Sequence, residues 1–139
     1  MSMNSGELAG FLERGRMGVV ATIRVDGSPQ VTPVWYRYDG EAIIIWTARN
    51  RIWVKNAQRD NRVAFSVHEE TPPFAAVVIR GRAEVANGPD ETGLAEAKII
   101  SRRYIEEGEV EGYVERWWPG THDFVRITPE AVTSWRQGY

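Results

Sequence analysis

Polar and apolar positions change period several times along the chain, and each change marks an element. Asn4, followed three residues later by Glu7, forms an Asn-type capping box, and Leu8, Phe11 and Leu12 make a short apolar stripe behind it. This predicts a short leading helix lying across a sheet, with Gly15 as its C-terminal stop. From Met17 the period shortens to that of strands. Met17–Val25 and Pro29–Tyr38 predict two strands joined at Asp26-Gly27, and Glu41–Thr47 predicts a third beyond Asp39-Gly40. An Asp-Gly pair between runs of β-branched and aromatic residues is the strongest short-range hairpin pattern. The three runs therefore read as a meander. Pro33 has no N–H, so the second strand is at an edge or irregular at that point. Ile43, Ile44 and Ile45 are continuous apolar sequence, as in a strand buried on both faces.

Arg51–Arg59 predicts a short helix with Asn50 as N-cap, and Arg62–His68 a fourth strand. Glu70-Thr-Pro-Pro73 turns the chain into a long strand, Ala75–Val85, with a bulge or bend at Gly81. After a break at Asn87-Gly-Pro-Asp90, Leu94, Ala97, Ile100, Tyr104 and Ile105 recur near helical spacing, which predicts one main helix over Asp90–Glu107. A loop over Gly108–Thr121 follows, then a strand at His122–Ile127 that continues past Pro129 through Ala131–Trp135. The total is six or so antiparallel strands with two or three helices: mainly β with flanking helices, a small barrel-like sheet.

Length makes this a single domain, residues 1–139. The net charge of -2 gives no global field for nucleic acid or an anionic membrane, so any anion site is local. No run of about 18 apolar residues is present. The first residues lack the basic-then-apolar order of a signal peptide. With no cysteine there are no disulfides, thiolate nucleophiles or Cys-based metal sites, and a cytoplasmic location is expected. His68 and His122 have no carboxylate at metal-ligand spacing, and no Gly-x-Ser-x-Gly elbow appears, so neither a metal site nor a serine hydrolase is expected.

Candidate chemistry gathers where the third strand runs into Arg49, Asn50, Arg51, Lys55 and Asn56. Cations at a helix start oppose the helix macrodipole unless an anion sits there. Such a turn at the end of a sheet suits a phosphorylated, planar ligand. Trp35 and Tyr36 alternate faces, so one is core while the other faces a pocket or a partner. Trp117, Trp118 and Pro119 fall in the predicted loop, where burial against a second subunit or over a substrate pocket would account for them. Arg80 and Arg82 read as an exposed sheet face.

The order of these pieces resembles the pyridoxamine 5'-phosphate oxidase-like family of flavin and deazaflavin oxidoreductases with a split β-barrel. The match runs from Met17 to Trp135. It is carried by Asp26-Gly-Ser-Pro-Gln-Val-Thr-Pro-Val-Trp-Tyr36, Thr47 with the Arg-rich turn, Asn56-Ala-Gln-Arg-Asp-Asn-Arg-Val-Ala64, Val78-Ile-Arg-Gly-Arg-Ala-Glu84 and Val125-Arg-Ile-Thr-Pro-Glu-Ala-Val-Thr-Ser-Trp135. The resemblance implies an oxidoreductase in which the deazaflavin F420 carries a hydride to or from a small organic substrate. An FMN-binding oxidase or reductase and a non-catalytic flavin or tetrapyrrole binder are the alternatives. By position, the resemblance places Gln30, Val31, Thr32, Pro33 and Val34 along the ring, Trp46 and Thr47 beside the ribityl chain, and Arg49, Arg51 and Lys55 at the phosphate. Asn50 and Asn56 adjoin them, Asn56 in support. Trp53 stands where family members often carry Lys. A homodimer with both chains lining each cofactor site is also implied. No residue demands the role of general acid or base; Tyr36, Tyr113 or a water are the proton donors to weigh.

Overall fold

The computed structural model describes residues 1–87, 91–117 and 122–137. Helix α1, Ser5–Glu13, begins at the expected capping box: the Asn4 side chain accepts from the Glu7 N–H at 2.9 Å, and the Glu7 carboxylate accepts from the Asn4 N–H. Its end is not a glycine stop. The chain turns extended at Arg14, and the last carbonyls are met by Arg103, whose guanidinium donates to Leu12, Glu13 and Arg14 at 2.7–2.9 Å. Gly15 serves that contact differently from expectation. A Cβ there would stand 2.2 Å from the Arg103 carbonyl oxygen, so glycine allows the two backbones to meet.

Seven strands form one antiparallel sheet: β1 Gly18–Ile23, β2 Pro29–Val34, β3 Tyr36–Tyr38, β4 Ile43–Ala48, β5 Arg62–His68, β6 Ala75–Asn87 and β7 His122–Arg136. Their order is β2-β1-β5-β6-β7-β4-β3. The two edges are consecutive in sequence, with Trp35 alone between them. Two Cα–Cα steps of about 3.8 Å span that gap, so the sheet curls until its edges are neighbours. This is the split-barrel fold. The single strand expected over Pro29–Tyr38 is therefore two strands, and the expected meander is two hairpins on opposite edges. Pro33 sits on an edge strand opposite Val19, as its missing N–H requires.

Both Asp-Gly turns are formed, with Gly27 and Gly40 at φ 87° and 98°. Ile43, Ile44 and Ile45 are all buried. The bend expected at Gly81 is a register shift between Arg80 and Gly81, opposite Pro129 of a β7 that runs unbroken past the proline.

Three more helices are described: α2 Ile52–Arg59, α3 Glu91–Ser101 and α4 Glu107–Trp117. Asn50 is not the N-cap of α2. It takes φ 68°, a left-handed position that Asn tolerates, and turns the chain from β4 into an N-cap at Arg51 that no side chain satisfies. The single helix expected over Asp90–Glu107 breaks after Ser101, and much of the expected loop from Gly108 is α4. The break lets Arg103 and Tyr104 leave the helical path and reach α1 and β3. Residues 88–90 of the expected break and 118–121, with Trp118 and Pro119, lie outside the described residues.

The barrel interior holds Val20, Tyr36, Ile43, Ile45, Phe65, Val77, Ile79, Val125 and Ile127, closed by Leu12 of α1 and by Trp53, Val54 and Ala57 of α2. A second cluster joins Ala97, Val110 and Val114 of the α3–α4 pair to Trp46 and Phe124 of the sheet. No helix among the described residues is long and apolar enough to cross a membrane.

A Cβ at Gly81 would lie 2.3 Å from the backbone oxygen of Thr128. Gly81→Ala should therefore lower the unfolding free energy by about 2 kcal/mol. Gly112→Ala, on α4 with nothing within 4 Å, should raise it by up to about 1 kcal/mol. Urea denaturation of the two variants measures both signs.

Candidate functional site

A groove of about 440 Å³ opens along the seam where the barrel edges meet. Thr32, Pro33 and Val34 bring the end of β2 to it, and Trp35 bridges its rim. Trp46, Thr47 and Ala48 supply the end of β4, Arg51 and Trp53 the start of α2, Tyr113 the face of α4, and His122 the start of β7. The ladder explains the grouping: Ala48 pairs with His122 and Thr47 with Asp123, so two distant segments enter side by side.

The expected site residues divide into two groups. Thr32, Pro33, Val34, Trp46, Thr47 and Arg51 line the groove. Val31, on the same face of β2 as Pro33 but two residues further from the seam, is 67% exposed and does not line the groove. Asn56 is turned inward and buried. Its amide donates to Thr22 Oγ1 at 3.2 Å and Gln30 Oε1 at 3.0 Å, and its oxygen accepts from Arg59. Gln30 and Asn56 thus tie α2 to β1 and β2. Lys55 is exposed one turn along α2 from Arg51, and Asn50 is exposed in the turn before the helix.

The three cations are not equivalent. Arg49 lies against β7, its Nε 3.3 Å from Asp123 Oδ1 and its Nη2 3.4 Å from the His122 carbonyl oxygen; Asp123 itself is buried. Arg51 lines the groove as the N-cap of a helix that carries no acidic residue in its first turn. Trp53 forms apolar floor of the groove and is packed into the barrel core. Trp46 Nε1 is buried with no hydrogen-bond partner among the described residues. Its ring lies between those of Tyr113 (6.4 Å, 82°) and His122 (5.2 Å, 40°).

Of the tyrosines weighed as proton donors, Tyr36 points into the barrel. Its hydroxyl donates to the Leu12 carbonyl at 2.8 Å, and burial holds the phenol well above the usual tyrosine range. Tyr113 faces the groove. Sequence reasoning did not place Tyr113, Trp53, Ala48 or His122 together. The helical spacing of Val110, Tyr113, Val114 and Trp117 was available as a signal for α4, although Gly108 and Gly112 obscure it.

The family model described as pyridoxamine 5'-phosphate oxidase matches residues 5–136. Among solved structures, a conserved hypothetical protein from Mycobacterium tuberculosis is similar over 96% of this chain and 85% of its own, with TM-score 0.80 and 28% identity. A protein named as an F420 reductase is similar over 88% of this chain and 93% of its own, with TM-score 0.67 and 28% identity. The FAD-binding protein from Mycobacterium smegmatis, at 22% identity and TM-score 0.68 over 99% and 100% of the two chains, shares the fold. No curated protein matches.

Replacing Asn56 by Ala leaves Thr22 and Gln30 without their common donor inside the α2 contact. We expect Asn56→Ala to cost about 2 kcal/mol of stability, read as an earlier midpoint in urea.

Proposed function

Because the chain belongs to the pyridoxamine 5'-phosphate oxidase family, we propose that it is a cytoplasmic oxidoreductase whose groove holds the deazaflavin F420. The reaction is hydride transfer between that cofactor and a small organic substrate. The observation that carries this reading is the meeting of an aromatic-walled groove with a cationic helix start. Arg51 caps α2, Trp53 lies in its first turn, and Trp35, Trp46 and Tyr113 line the same groove.

The residues fit such a group. Trp35, Trp46, Trp53 and Pro33 give a flat, largely apolar enclosure for a conjugated ring. Thr32 and Thr47 line it as well, and the Trp46 N–H, buried without a partner among the described residues, is a donor suited to a ligand acceptor. Arg51, with Arg49 and Lys55, would meet the phosphate. Asp123 holds Arg49 beside the mouth, which reduces the side-chain freedom lost on binding. Bound F420 would supply the hydride chemistry at C5. The chain's own contribution is to hold the ring, keep water from its face and bring the Tyr113 side chain to it. The 28% identity to a protein named as an F420 reductase favours F420 over FMN.

The same reading includes a second copy of the chain. In ladder register, Val31, Ala21, Ala64, Arg80 and Ala131 form one row across five strands, and Pro33, Val19, Ser66, Val78 and Thr133 form the next. This face points away from the core, and only Arg80 of the ten is charged. Val31 is exposed and Val78 is 38% exposed. A small-residue, nearly uncharged face of this breadth suits a self-complementary contact. Pro33 belongs both to that face and to the groove, so a partner seated there would border the cofactor.

Titration of the purified protein with F420 and with FMN, followed by tryptophan fluorescence, tests the cofactor. Tight F420 binding that Arg51→Ala weakens about tenfold is expected, the scale of one charge-assisted bond. Retained FMN with no F420 affinity would sink the choice of F420, and binding without turnover of any acceptor would leave a carrier.

For the dimer, light scattering should find two chains in the wild type and one in Val78→Glu. A monomeric wild type removes this part of the proposal.

A further inference from the structure

We infer that Tyr104 is a positioning residue for the groove, fixing the Trp35 ring as the wall on which a flat conjugated ligand stacks. The inference rests on the proposed cofactor site and goes beyond it, since Tyr104 does not line the groove. Trp35 belongs to neither β2 nor β3. No ladder neighbour therefore sets its side chain. Its ring is set by two others: Tyr104, stacked at 4.9 Å with planes 10° apart, and Tyr113, at 5.4 Å and 33°.

Tyr104 is in turn anchored to main chain on both sides of the seam. Its hydroxyl accepts from the Tyr36 N–H at 3.1 Å and donates to the Arg16 carbonyl at 2.9 Å, with the Tyr36 carbonyl at 3.2 Å. The break between β2 and β3 leaves the Tyr36 N–H in need of a partner, and Tyr104 provides it. Arg103, the preceding residue, grips the end of α1 and lies over the Tyr36 ring at 4.7 Å. The short turn between α3 and α4 is thus seated in the seam. A phenol ring held at its hydroxyl and stacked nearly parallel to Trp35 dictates the plane of that indole. The width of the groove at its aromatic wall follows from Tyr104.

Three single variants and one double variant test this. Tyr104→Phe keeps the ring and drops the hydroxyl bonds, Tyr104→Leu removes the stack, and Trp35→Leu removes the wall. The readouts are the dissociation constants of F420 and FMN, the indole ¹H–¹⁵N resonance of Trp35 and the thermal midpoint. Tyr104→Leu should weaken binding of the cofactor that the wild type takes by about fivefold, the scale of one aromatic pair. Trp35→Leu should match it, and the double variant should be no weaker than Trp35→Leu alone, because both act through one wall. Tyr104→Phe should shift the Trp35 resonance with a smaller loss of affinity.

A purely structural role would lower the thermal midpoint and leave affinity unchanged. Affinity within about twofold of wild type in folded Tyr104→Leu, or additive losses in the double variant, overturns the inference. If Tyr104→Leu does not fold, an unmoved Trp35 resonance in Tyr104→Phe overturns it. If the wild type binds neither cofactor, the proposed function falls separately. The positioning role then stands or falls on whether the Trp35 resonance moves in the Tyr104 variants.

Discussion

One residue of chain between the two edges of a seven-stranded sheet is the constraint on which this molecule is built. With Trp35 as the only link from β2 to β3, the sheet cannot lie flat. The curl brings the ends of β2 and β4 to one seam, and the groove forms there. The same curl exposes a main-chain donor at the start of β3, which the turn after α3 satisfies through Tyr104. Fold, groove and helical hairpin therefore share one geometric cause.

The two apolar clusters divide the labour. The barrel cluster, with Phe65 edge-on to Tyr36 at 5.0 Å and 72°, holds the sheet closed. The smaller cluster seats α3 and α4 on Trp46 and Phe124. Arg37 links the hairpin to β3 through a two-point contact with Glu96 at 2.5 and 2.7 Å. The hairpin is thereby fixed to the sheet at the strands that border the groove, so its packing and the groove's shape are set together.

Much of this was legible along the chain because it is local. The capping box at Asn4 and Glu7, both Asp-Gly turns and the bounds of β5 depend on residues close in sequence, and Gly81 marks its bend in the sequence although the register shift forms against Thr128 and Pro129 of β7. Other features depend on partners that no local window contains. Pro29–Tyr38 reads as one strand because its alternation continues through Trp35; only sheet closure divides it. The helix break after Ser101 follows from the pull of Arg103 and Tyr104 toward α1 and β3. The family resemblance named Thr32 to Val34, Trp46, Thr47 and Arg51, and all six line one groove. The candidate site was not legible at Asn56, whose inward turn is set by Thr22 and Gln30, nor at His122, which reaches the groove by pairing with Ala48.

The start of α2 carries a consequence of its own. Arg51 caps it without a side-chain bond, no acidic residue occupies its first turn, and Lys55 and Arg59 follow at four-residue spacing. Like charges at that spacing and cations near a helix N-terminus each disfavour the helix by a few tenths of a kcal/mol. An anion there reverses the sign of the second effect. Occupancy by an anion there would be thermodynamically linked to the local opening of α2 and would slow the exchange of this helix's amides with solvent.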